Sequence, residues 1–267
     1  MPLSANLGAM LRKKFNEAAE SVIAPEPLRH YDEEILILNP LFKLQQSLSH
    51  IPLENELLVE QIETKDGFHL FVYPFEGRLV HEALGAVLSY RISRITPITF
   101  SFAMNDYGFE LLSDQPIPVD DTNVYELFTT DNLFEDIQRS VNSAEMAKRK
   151  FRDISVIGGL IFQGYPGEHK KARHLQSSAS LLFQVFSEYE KSNLLLRQAY
   201  NEVMEQQMEE QRLRNMLERI QRSRIVLTFP ERLTPFCFPL KVDSMRENLS
   251  SEKLEDRVRR MQAQLNK

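Results

Sequence analysis

Two groups of cations carry the most chemistry in this chain. Between Ala147 and His174 lie Lys148, Arg149, Lys150, Arg152, Lys170, Lys171 and Arg173, against only Asp153 and Glu168. A smaller set, Arg78, His81, Arg91 and Arg94, decorates one helical stretch. Lysine and arginine supply the phosphate contacts of sequence-independent nucleic-acid binding. On composition alone, a solvated helical face accounts for the same residues equally well. Other chemistries find less support. The chain has no G-x-x-x-x-G-K-[ST] loop and no G-x-G-x-x-G. Gly158-Gly159 and Gly164-Tyr165-Pro166-Gly167 read as a helix break and a turn. His169 and His174 are five apart, off a common helical face, and their cationic surroundings would repel a metal ion. Cys237 stands between Phe236 and Phe238 in an apolar run read as a strand, which fits a buried, inert thiol. In Asp120-Asp121 and Glu135-Asp136 the paired carboxylates are adjacent, so they diverge on any regular element and form no acid/base dyad.

The elements that must position the cations follow from periodicity. Leu7 to Val22 has helical spacing and ends before Pro25 and Pro27. Asp32 to Gln46 reads as a second helix broken at Pro40. Residues 56–75 change to two β-rich runs around Lys65-Asp66-Gly67, a hairpin signal. Arg78 to Arg94 returns to helix. A second hairpin turns near Asp106-Tyr107-Gly108, with Phe100, Phe102 and Met104 alternating. Asp114 to Asp136 predicts short helices in a connection, and Phe134 to about Gln163 a longer helical stretch. Gln176 to Gln211 predicts one or two helices, with Ser192 or Asn193 as an internal N-cap. Met204 to Arg224 is amphipathic without one heptad register, as for a helix docked on its own domain. Arg224 to Val242 predicts proline-interrupted edge strands, and a last helix is expected from about Ser251 to Gln264. About six strands in separated hairpins make an α+β fold and argue against a doubly wound parallel sheet.

Composition narrows the function classes. The chain has 267 residues, 42% hydrophobic and 26% charged, an ordinary globular balance. A net charge of −6 argues against coating nucleic acid through global charge, but leaves room for a local basic face. A single cysteine excludes a disulfide framework within the chain, and a reducing cytoplasm is the expected setting. The longest apolar runs are too short to span a bilayer, and the first twenty residues lack the apolar core of a secretory signal.

Four strings are more particular: HLFVYPFEGRLVHEALGAVLSYRISR (residues 69–94), NDYGFELLS (105–113), IGGLIFQGYPGEHKKARHLQSSASLLFQVF (157–186) and PFCFPLKVDSMRENLSSEKLEDRVRRM (235–261). Together they resemble the C-terminal region of Lhr-type superfamily-two DNA helicases, above all the ligase-associated DExH-box branch. The resemblance runs from about Leu7 to Gln264. It implies a module built around a small barrel-like sheet of antiparallel hairpins with attendant helices. Residues 1–52 would be an N-terminal helical segment or linker and 53–267 the module. It further implies a parent enzyme that uses ATP and Mg to move 3′ to 5′ on single-stranded DNA, in DNA repair. This chain carries no Walker motif or D-E-x-H box, so no catalytic residue and no cofactor site of the family transfers to it. That pattern fits a fragment, a separately encoded subunit or the product of a broken gene. The expected partners are single-stranded DNA or a duplex junction, helicase motor domains and an ATP-dependent DNA ligase, with no membrane. Lys170, Lys171, Arg173 and His174 are the first candidates for DNA contact, and Arg78, Arg91 and Arg94 the second. A docking scaffold for motor domains, without DNA affinity of its own, is the rival expectation.

Overall fold

The structure, a computed structural model, describes residues 3–23, 31–162, 172–190, 192–203, 209–247 and 262. It opens with α1 (Ala5–Ile23) and α2 (Glu33–Leu48), then the strands β1 (Glu56–Thr64) and β2 (Gly67–Val72). Next come α3 (Arg78–Ile95), β3 (Ser101–Met104) and β4 (Phe109–Ser113). Five helices follow: α4 (Val124–Leu127), α5 (Leu133–Arg139), α6 (Val141–Ile157), α7 (Ala172–Tyr189) and α8 (Leu194–Glu202). The described chain closes with α9 (Glu210–Gln221), β5 (Arg224–Thr228) and α10 (Cys237–Glu247). The helix expected from Ser251 to Gln264 lies almost wholly outside the described residues.

The class is α+β, but the sheet is not a barrel. Its five described strands run in the order β3-β4-β2-β1-β5, with β3 and β5 as unpaired edges. Two hairpins make four of the strands, as the turn residues predict. Thr64 pairs with Gly67 across Lys65-Asp66. Gly67 sits at φ 131, where a Cβ would meet the Ser113 carbonyl oxygen at 2.3 Å. The fifth strand, β5, arrives from far along the chain and adds parallel to β1, giving a mixed, open sheet.

Alternation along the strands makes two different faces. On one, Leu57, Val59, Leu70, Val72, Phe109 and Leu111 meet α3 and α9 in a core continuous with the bundle of α5 to α8. There Gly85 of α3 lets the Phe102 ring approach, since a Cβ would stand 2.2 Å from it. The other face mixes Leu58, Ile62 and Phe71 with the buried polar residues Glu60, His69 and Glu110. Helices α1 and α10 cover it. Glu60 accepts from Gln45 (2.9 Å), Tyr73 (2.7 Å) and Thr234 (2.8 Å), which satisfies a carboxylate shut off from water.

Two local expectations are corrected. Pro40 does not break α2. The lost N–H costs about 3 kcal/mol in a helix interior, yet the helix is held on both sides of it. Asn39 donates to the Ser21 carbonyl and hydroxyl, and Gln45 reaches Glu60, while Phe42 is buried. Cys237 is the first residue of a helix, not part of a strand. Thr234 caps that helix, accepting from Cys237 N (3.3 Å) and, through its carbonyl, from Phe238 N (3.2 Å). Pro239 follows in the first residues of the helix, where its missing N–H leaves the Pro235 carbonyl without a ladder partner. The thiol is buried, and burial pushes its pKa well up. Asn193 caps α8 as expected, accepting from Leu195 N and Leu196 N. Residues Leu213, Met216, Leu217 and Ile220 of α9 are buried in the domain's own core. Among the described residues, no helix is long and apolar enough to cross a membrane.

Candidate nucleic-acid interface and its arginine clamp

The string Tyr73-Pro74-Phe75-Glu76-Gly77-Arg78 links β2 to α3 and is bent in a way few residues accept. Phe75 lies at φ 56 and Gly77 at φ 90. A non-glycine residue held there costs of order 1–3 kcal/mol and persists only where its surroundings over-determine it. Three arginines do so. Arg12 of α1 donates through Nη1 to Glu76 Oε1 (2.8 Å), Phe75 O (3.3 Å) and Pro74 O (3.4 Å). Arg219 of α9 donates to Pro74 O (3.2 Å) and Glu76 Oε1 (3.4 Å). Arg212 of α9 donates to the Glu76 carbonyl and to Leu3 O, and pairs with Glu209. Gly8 of α1 completes the fit, because a Cβ there would stand 2.1 Å from Phe75 O.

The clamp holds more positive than negative charge. Burial and the neighbouring Arg12 lower the Arg219 pKa to about 10, against the pull of Glu76, so it stays protonated at neutral pH. Arg219 Nε and Nη1 and Arg212 Nε are buried without an acceptor. Glu76 is therefore the anion on which the arrangement depends.

His81 fixes the loop from the helix side. Its Nδ1 donates to Asn105 O (2.7 Å), and its Nε2 accepts the Glu76 N–H (3.1 Å), which selects the neutral imidazole. Burial lowers its pKa from 6.5 to about 4. The unfolded chain therefore binds a proton between those values that the folded chain refuses. Stability is full above about pH 6.5 and falls as the pH drops towards 4, by roughly 3 kcal/mol in total. Urea midpoints should decline between pH 6.5 and 5, where most carboxylates are still ionised. His81→Gln should flatten that stretch of the profile.

The turn between β3 and β4 packs on this loop. Asn105 Oδ1 accepts from Tyr107 N (2.9 Å) and Gly108 N (3.1 Å), and Phe75 N donates to Tyr107 O (3.1 Å). Asp106 Oδ1 accepts from Arg78 N (3.2 Å) and lies 3.7 Å from Arg78 Nε. The Arg78 side chain is 56% exposed and Tyr107 52% exposed. An exposed cation at the start of α3 is thus tied through Asp106 to the turn that carries the exposed Tyr107 ring. Beside them lies a surface cavity of about 130 Å³, lined by Phe15, Tyr73, Phe75, Asn105, Tyr107 and Phe236 with Leu11 and two prolines.

The other expected contacts are dispersed. Arg94 is sixteen residues beyond Arg78 on α3, roughly 24 Å along its axis. Arg94 is exposed and lies 4.0 Å from Asp136. Arg91 is buried: Nε donates to Asp136 (2.8 Å), Nη1 to Leu127 O and Thr129 O (both 2.7 Å), and Nη2 to Asp131 O (3.1 Å). Its guanidinium braces the connection from α4 to α5. On α6, Lys150 faces Glu202 at 3.8 Å and Arg152 faces Asp153 at 3.2 Å. Arg173 and His174 fall in the first turn of α7, while His169, Lys170 and Lys171 lie outside the described residues. Sequence periodicity passed over Arg12, Glu76, Arg212, Arg219 and Tyr107. The available signal was Arg12 itself, four residues from Gly8 on the buried stripe of α1.

The DEAD/H associated family matches residues 51–237. The chain belongs to that family. Its relatives include ATP-dependent helicase Lhr-Core protein 2 of Thermococcus barophilus, 26% identical over 251 residues, covering 91% of this chain and 29% of the relative. The ATP-dependent helicase Lhr-Core of Methanocaldococcus jannaschii is 25% identical over 209 residues, covering 78% of this chain and 24% of the relative. In architecture the chain is similar to Mycobacterium smegmatis helicase Lhr, solved bound to ssDNA and AMP-PNP, with a TM-score of 0.65 and 18% identity. That likeness covers 90% of this chain and 32% of the mycobacterial one. The expected resemblance to the C-terminal region of Lhr-type helicases is borne out, and the chain spans under a third of the length of each of these proteins.

Proposed function

We propose that this DEAD/H-associated chain is the accessory, DNA-contacting region of an Lhr-type ATP-dependent helicase that acts 3′ to 5′ in DNA repair. The observation that carries this is that exposed Arg78, at the start of α3, is held by Asp106, the neighbour of exposed Tyr107 on a turn fixed by Asn105. Single-strand binding without sequence preference needs a cation for the backbone and an aromatic face for the base. The relatives named as ATP-dependent helicases, and the similar mycobacterial chain solved with ssDNA, support the same role. Motor domains, in the same polypeptide or a partner, would hydrolyse ATP with Mg. The setting would be cytoplasmic, beside an ATP-dependent DNA ligase. Lys170, Lys171, Arg173 and His174 would add contacts to the strand, as would Arg94, with Arg91 as an interior brace.

A labelled single strand should bind the folded chain, and log affinity should fall linearly with log salt. Reversing Lys170, Lys171 and Arg173 to Glu together should reduce that slope by about 2, at roughly 0.7 per lost phosphate contact on a single strand.

One observation favours a second role, that of a scaffold for motor domains. Helix α2 exposes Ile37 (70%), Leu41 (51%) and Leu38 (41%) on one side. An apolar stripe of this kind suits a protein partner better than a phosphate backbone. Retention of the motor region by a chain that binds no strand would favour it.

A further inference from the structure

We infer that the aromatic cavity beside the β3–β4 turn holds one unstacked nucleobase of a bound single strand. This inference rests on the DNA-contacting role proposed above and names the part of the strand that this site takes. The cavity, about 130 Å³, is of the size of one heterocyclic base. Its walls are rings. Phe15 lies 4.8 Å from Phe75 and 5.3 Å from Phe236 between centroids, and Tyr73 lies 5.9 Å from Phe236. Tyr107, on the exposed turn, forms the outer edge.

Few polar groups remain to read a base edge. The Tyr73 hydroxyl is engaged with Glu60, and Asn105 Oδ1 already accepts two backbone N–H groups. Asn105 Nδ2 has only a 3.5 Å contact with Asp243. Tyr73 and Phe75 are buried, so the free stacking face is that of Tyr107, and with at most one amide donor the site accepts any base and discriminates little. The rim favours a nucleotide over an aliphatic side chain. A base arrives with its phosphate, and Arg78, exposed at the start of α3 and held by Asp106 next to Tyr107, is the cation available to meet it. The carboxylates nearby, Asp106 and Asp243, limit the charge attraction and leave stacking as the main contribution.

The chain contains no tryptophan, so Tyr107→Trp places a single indole reporter at the cavity edge. Two probes separate base from backbone: the dodecamer dT12, and a dodecamer of abasic sites with the same phosphates. Binding of dT12 should quench the indole fluorescence, and the abasic strand should bind at least about tenfold more weakly. Tyr107→Ala should weaken dT12 binding by roughly 5- to 150-fold, the range for losing one base–aromatic stack. Suppose instead that dT12 binds by anisotropy, leaves the indole unchanged, and binds the Tyr107→Ala chain as tightly. The base site is then overturned while the DNA-contacting role stands, and the cavity is left to an apolar side chain of a protein partner. If the folded chain binds neither strand, the DNA-contacting role fails and the base site with it.

Discussion

Glu76→Gln should lower the unfolding free energy by about 3–5 kcal/mol, the range for removing one partner of a buried ion pair. The side chain barely changes shape, so the loss isolates charge. Arg12 and Arg219 both converge on Glu76 Oε1, and three guanidinium nitrogens of the clamp already lack an acceptor. Without the carboxylate, two largely buried cations face a neutral amide, and Phe75 loses what holds it at φ 56. Chemical denaturation with matched slopes checks the number. A companion chain with Arg12→Met, Arg219→Met and Glu76→Gln should recover much of the loss, because uncharged groups need no compensation. A loss below about 1 kcal/mol for the single substitution would mean that the backbone carbonyls alone hold the arginines. The loop also carries the turn, through Phe75 N to Tyr107 O, so strand affinity should fall with stability.

Arg91→Met should cost a similar 3–5 kcal/mol, for a different reason. The stem of Met matches much of the arginine volume, but Asp136 keeps its charge in a buried position. The Leu127, Thr129 and Asp131 carbonyls lose their shared donor as well. Arg94, at 4.0 Å from Asp136, is too exposed to replace the lost charge. Asp136→Asn in the same background should restore part of the stability. That coupling, read by a double-mutant cycle, distinguishes a brace from a surface cation. Strand affinity of the still-folded Arg91→Met chain should stay within about twofold of wild type if Arg91 only braces.

Local chemistry made much of the fold legible. Asp66-Gly67 and Asn105 to Gly108 mark hairpins because turn geometry is set by adjacent residues. Asn193 could be named as a cap for the same reason. Contacts across long sequence separations stayed hidden. Residues 224–228 looked like a strand, yet nothing local tells that it joins β1 in parallel and leaves the sheet open. The segment at Cys237 carries strand-like residues, and a single cap at Thr234 turns it into a helix. Pro40 marked a break that interior hydrogen bonds from Asn39 and Gln45 override. Arg78, Arg91 and Arg94 look alike in sequence. The difference lies in Asp106 for the first and in Asp136 with three carbonyls for the second. The clamp was illegible because Arg12, Glu76 and Arg219 meet only once α1, the loop and α9 are packed.

The salt dependence of single-strand affinity tests the central claim most directly, with wild type beside Arg78→Glu and the Lys170, Lys171 and Arg173 triple reversal. A DNA-contacting region predicts binding at low salt, a linear loss of log affinity with log salt, and a shallower slope in both variants. A folded chain that binds no strand at low salt, or whose slope neither variant changes, would contradict it.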